Sequence, residues 1–153
     1  MPVSLENLLK TGQLKEHPAQ ADEIEQLLTA AERNLRDAHF EEISPETRFD
    51  AAYKAIMQAA LAALMMHGYR PDTKRPGHHM TVLQSTPLTI GLSAKRMVVL
   101  DTLRRQRNVA DYTGEDVDTT TAEHCIAEAK RLIDDVLAWR KDNRPELIRS
   151  NRT

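Results

Sequence analysis

The chain has 153 residues, 41% hydrophobic and 29% charged, with a formal net charge of −2. That length gives one domain able to bury its own core, and the near-neutral charge excludes nucleic-acid binding through bulk charge, so any such contact needs a local basic patch. Five glycines and 4% aromatics exclude a many-stranded sandwich or barrel, and the single Cys125 excludes an internal disulfide and points to a reducing cytoplasm.

In chain order, Ser4 is the predicted N-cap of a leader turn carrying Leu5, Leu8 and Leu9, closed near Gly12. The first long helix is expected after Pro18, where Ile24, Leu27, Leu28, Ala31, Leu35 and Ala38 follow helical spacing. SPETR supplies the next start, with Ser44 as cap and Pro45 in the first turn. The helix over residues 45–67 is apolar on nearly every face, as a central helix packed on several neighbours should be.

Gly68 ends that helix, and YRPDTKRPG is expected as a loop. A short helix is predicted over 78–86, interrupted by Pro87. Ser93 caps the following helix, AKRMVVLDTLRRQRNVA. TTAE reads as a capping box with Thr120 and Glu123, and Ile126, Ala129, Ile133, Val136 and Leu137 form the apolar face behind it. After Trp139 the composition turns polar, predicting a frayed tail. The expected division is a leader over 1–17, an all-α up-and-down bundle of about five helices over 18–142, and a polar tail over 143–153. The longest apolar run, AALAALMM, is too short to span a membrane, and MPVSLENLLK lacks the pattern of a signal peptide. A cytoplasmic protein with no membrane contact is expected.

Leu100, Leu103, Arg107 and Ala110 recur at spacings of three and four and so share one helix face. An arginine on such a stripe needs an acidic partner, a subunit interface or an anionic ligand, because desolvating an unpaired guanidinium costs several kcal/mol. Asp111, one turn on, is the local partner available; Arg104 and Arg105 could equally solvate the outer face.

The order RFDAAYKAIMQAALAALMMHGYRP, then GHH, then LDTLRRQRNVADYTG resembles the HEPN family of small helical bundles, over roughly residues 20–138. The resemblance implies a homodimer whose subunit cleft holds an arginine–polar pair and, four residues on, a histidine that serves metal-independent RNA cleavage. Arg107 and Asn108 match the pair, whereas Tyr112 stands at the histidine position. Tyrosine, with an ordinary pKa near 10, is a poor general base at neutral pH. The resemblance therefore implies a module that binds a nucleotide, RNA or DNA without full RNase activity, in a toxin–antitoxin or defence system with a nucleotidyltransferase-type partner. The alternative is an endoribonuclease in which Tyr112, His78 or His79 moves the proton; a purely structural interaction module is the third possibility.

His78 and His79 open a helix, where an anion is favoured, but adjacent helical residues are not expected to point the same way. The binding candidates are therefore Arg104, Arg107, Asn108, Asp111, Tyr112, His78 and His79, with Arg107, Tyr112 and His79 the catalytic ones. The histidine pair lacks a third zinc ligand at a recognisable spacing, and neither a metal nor a cofactor is expected. Cys125 reads as a packing residue, and GEDVD as an acidic helix start.

Overall fold

The structure, a computed structural model, describes residues 4–149. The elements are α1 (Leu5–Lys10), β1 (Leu14–Glu16), α2 (Ala21–Ala38), α3 (Pro45–Met66), β2 (Tyr69–Pro71), α4 (His78–Gln84), α5 (Thr86–Thr89), α6 (Ala94–Thr113), α7 (Thr119–Asn143) and a closing 3-10 turn at Pro145–Leu147. The protein is an all-α helical bundle carrying a small two-stranded sheet, and no helix among the described residues is long and apolar enough to cross a membrane.

The bundle is built around α3. Its buried Ala52, Ala55, Ala59, Ala60, Ala62 and Ala63 leave room for neighbouring backbones to approach, and α2 and α7 pack most extensively against it. Ile24, Leu28 and Ala31 of α2, with Ile126, Ala129, Leu132, Ile133 and Val136 of α7, fill the space between. Arginines tie the helices together by reaching from one element to a carbonyl or carboxylate of another. Arg48 Nε donates at 2.8 Å to the Ala38 carbonyl that ends α2, and Arg144 donates to the Met66 carbonyl that ends α3. Arg140, buried on α7, donates from Nη1 to Glu25 Oε1 on α2 at 3.1 Å.

The serine caps form as expected: the Oγ atoms of Ser4, Ser44 and Ser93 accept the N–H groups of Asn7, Thr47 and Arg96 at 3.1, 3.2 and 3.2 Å. The start of α7 differs. Asp118 is the cap, its carboxylate accepting the Thr121 N–H at 2.7 Å, so Thr120 already lies in the first turn and no box forms with Glu123. Pro87 does not interrupt a helix either. The path breaks at Ser85, and Pro87 falls in the first turn of α5, where its missing N–H leaves no bond unmade.

Part of the expected loop after Gly68 is a strand. Leu14, Lys15 and Glu16 pair antiparallel with Pro71, Arg70 and Tyr69, which ties the leader to the bundle. The tail is not frayed through residue 149: Leu147 is buried and Arg149 pairs with Asp22. Residues 1–3 of the leader and 150–153 of the tail lie outside the described residues.

Candidate functional site

α6 lies at the periphery, resting on α3, α4 and α5. Leu100 and Leu103 are buried beneath it together with Asp101. That carboxylate takes up two of the basic residues of the helix: Arg104 Nε at 2.9 Å and Arg105 Nε at 3.2 Å. One turn further on, Arg107 has no such close partner. The helix ends at Gly114, whose φ of 70° is the left-handed conformation that favours glycine at a helix terminus.

Arg107 reaches into a cavity of about 520 Å³ between α3, α4 and α6. The α3 wall is a single stripe: Asp50, Tyr53, Lys54, Met57, Gln58 and Leu61, spaced so that all face one way. Opposite are Pro71 at the end of β2, Thr73, and His78, His79 and Val82 of α4. Gly77, at φ 80°, turns the chain into α4 and so brings the two histidines to the cavity. The cavity is polar at the Asp50–Tyr53–Lys54 end and largely apolar towards Leu61, Pro71 and Val82. A volume of this size is within the range of about 300–1,000 Å³ common for small-ligand sites.

The guanidinium carbon of Arg107 lies 5.0 Å from the centroid of the Tyr53 ring, a cation–π arrangement. Its carboxylate neighbours are distant: Asp50 Oδ1 is 3.6 Å from Nε, and Asp111 Oδ2 is 3.9 Å from Nη1. Both are ion pairs, and both are too long to be hydrogen bonds. Buried Nε accordingly has no hydrogen-bond partner among the described residues. Lys54, on the same wall, has no ion pair among the described residues.

Burial of the Tyr53 hydroxyl pushes its pKa up to about 12, outweighing the opposing pull of Arg107 and Arg104. That hydroxyl is 3.5 Å from His79 Nδ1. His79 is held below the ordinary histidine value, first by desolvation and then by the positive charge of His78, Arg107 and Arg104. The His78 and His79 rings stand edge to face, 4.7 Å between centroids.

Arg107, His78 and His79 are therefore brought together, and both histidines line the cavity, because it is wide enough for adjacent positions of α4 to flank it. Arg104 sits behind the site on Asp101 and acts on it through its charge. Asp111 is an exposed ion-pair partner of Arg107, and Asn108 is exposed outside the cavity. Tyr112 is 91% exposed; it neither packs over the helix end nor reaches the cavity. Asp50, Tyr53, Lys54 and Gln58 were not among the sequence candidates. Their signal is present: Asp50, Lys54 and Gln58 interrupt an alanine-rich apolar run at intervals of four, one polar stripe on a buried helix.

The remaining constellations are structural. Cys125 is buried, its thiol pushed up to about 12 by desolvation, and it packs near the Phe49 carbonyl. In GEDVD, Asp118 caps α7 and Asp116 hydrogen-bonds Glu46, raising the Glu46 pKa. Among the described residues no three His, Cys, Asp or Glu side chains are grouped to hold a metal ion. No protein-family model matches the chain, and no curated protein matches it.

Proposed function

We propose that the protein is a HEPN-like module that binds the phosphate of a nucleotide or nucleic acid in the cavity between α3, α4 and α6, without nuclease activity of its own. The observation that carries this is the placement of Arg107: a guanidinium on a cavity wall, anchored over Tyr53, with both carboxylates beyond hydrogen-bond distance. A phosphate can supply the short charge-assisted bonds that Asp50 and Asp111 do not. Lys54 adds a second cation at the same end.

The protonation pattern favours binding over proton abstraction. With its pKa near 12, Tyr53 keeps its proton and so can donate it to His79 Nδ1, 3.5 Å away. In that tautomer the imidazole proton sits on Nε2, and His79 offers the cavity a donor and not a base. Homodimerisation, a nucleotidyltransferase-type partner and a toxin–antitoxin or defence setting belong to the same proposal through the HEPN resemblance. The direct test is equilibrium binding of uridine monophosphate and of a short RNA to the full chain and to Arg107→Ala. Saturable binding that the substitution weakens supports the site, and equal affinities remove it.

A second reading, a metal-independent endoribonuclease, is favoured by one feature: His79 and Arg107 line the same cavity. It requires the other tautomer, with Nε2 free to accept a proton. Incubating pure protein with RNA in the presence of a chelator separates the two readings. Cleavage that His79→Gln abolishes establishes the nuclease, and intact RNA leaves the binding module.

A further inference from the structure

One side chain of the cavity is held in a fixed orientation by a residue outside it. Asn34, on α2, donates from Nδ2 to Gln58 Oε1 at 2.8 Å. Asn34 does not line the cavity; Gln58 does. With Oε1 accepting from Asn34, Gln58 Nε2 makes no hydrogen bond among the described residues and is the end of this cavity-lining carboxamide left for a ligand. Gln58 lies one helical turn, about 6 Å along the axis, from Lys54, on the same face of α3. Met57 and Leu61 flank it and Val82 faces it, an apolar setting suited to the faces of a flat ring.

We propose that Gln58, oriented by Asn34, selects the ring of the bound nucleotide and favours bases that carry a carbonyl oxygen: uracil, cytosine and guanine over adenine. A glutamine with both ends free reads adenine bidentately, accepting from the exocyclic amine and donating to the ring nitrogen. Here the bond from Asn34 turns Oε1 towards α2 and away from the ring edge, so adenine's ring nitrogen can take the donated bond but the amine beside it finds no acceptor. A base carbonyl oxygen takes the donated hydrogen bond without leaving an amine unpaired next to it. Gln58 is thus the residue that touches the base, and Asn34 is a positioning residue that acts through it. The phosphate end, at Arg107 and Lys54, is common to all four nucleotides and cannot discriminate between them.

Because the inference rests on phosphate anchoring in this cavity, its test keeps the two apart. Calorimetric titrations of the full chain with ribose 5-phosphate and with the uridine and adenosine monophosphates report anchoring and ring choice separately. The expected result is binding of all three, with uridine monophosphate tighter than adenosine monophosphate by about fivefold or more, the effect of one unmade hydrogen bond at a desolvated amide. In Asn34→Ala, which frees Oε1, that ratio moves towards one. In Gln58→Glu, which removes the donors, the preference inverts. Binding of all three with equal uridine and adenosine affinities overturns the role of Gln58 and leaves the phosphate site standing. Tighter binding of adenosine monophosphate by wild type means the carboxamide faces the other way and also overturns it. No binding of any of the three overturns the site itself.

Discussion

Arg107 and Tyr53, on different helices and 54 positions apart in the chain, meet as guanidinium over ring at 5.0 Å. The contact holds the cation at a cavity wall without consuming its hydrogen-bonding capacity, since a ring face offers charge complementarity but no lone pair. A carboxylate at 2.8 Å would have anchored it as well and left much less for a ligand.

Arg107→Ala should weaken the binding of uridine monophosphate by about tenfold or more, the scale of a lost charge-assisted hydrogen bond. Tyr53→Leu should weaken it less, by the cation–π contribution of about 0.5–1 kcal/mol for a partly exposed cation. Fluorescence or calorimetric titration of the two variants checks the order, and a larger loss in Tyr53→Leu than in Arg107→Ala would contradict it.

His79 makes the site and the fold respond to pH in opposite directions. Its folded pKa lies below the unfolded value near 6.5. As pH falls through that value the unfolded chain takes up the proton first, so stability declines until the folded form is protonated too. Once His79 is protonated, the cavity gains a positive charge. Sulfate, whose own charge does not change over this range, should therefore bind more tightly at acid pH. Urea denaturation and sulfate titration across the same pH series, in wild type and His79→Gln, should show both trends in the first protein and their loss in the second.

The ion pair between Arg140 and Glu25 is buried on the arginine side and joins α7 to α2. Arg140→Ala removes the cross-helix cation, although Glu25 keeps its hydrogen bond from Thr29, and creates a void. It should cost about 1.5–3 kcal/mol in chemical denaturation, the range for a hydrogen bond to a charged group. A loss near zero would mean that the pair does not join the helices energetically.

The start of α7 gives a local test. Asp118→Ala removes the cap and should lower the melting temperature, whereas Thr120→Ala should leave it nearly unchanged. The hydrogen bonds from Thr121 hold the Asp118 pKa below the ordinary carboxylate value. The contribution of the cap is therefore present above that ordinary value and fades as pH falls through the lower folded one. The difference between the two proteins should narrow accordingly in acid.

Much of this fold is legible in the sequence because its signals are strong and local. Ser44–Pro45 and Ser93 announce helix starts, and the apolar breadth of α3 announces a central helix. The ribbon is not legible: three-residue strands such as Leu14–Glu16 are too short to show an alternating pattern. At the start of α7, Asp118 and Thr120 compete as caps two residues apart, and both are residue types that cap well, so the local signal does not choose between them. Arg107 stands out as a cation on an apolar stripe, and the structure gives it a cavity. Tyr112, singled out by its place in a motif, faces solvent, because motif spacing says nothing about which side of α6 is covered. Lys54 and Gln58 were hidden by the strength of the helical signal around them, since a mostly buried helix draws attention to its apolar residues and away from the polar stripe that lines the cavity.

The most direct measurement is amide chemical-shift mapping of the full chain as uridine monophosphate is added. Saturable shifts are expected over Tyr53, Lys54, Gln58, Thr73, His79 and Arg107, with the exposed Tyr112, five residues beyond Arg107, little changed. Shifts confined instead to the cleft between α6 and the acidic turn at residues 115–118, or no shifts at all, would contradict a phosphate site at Arg107.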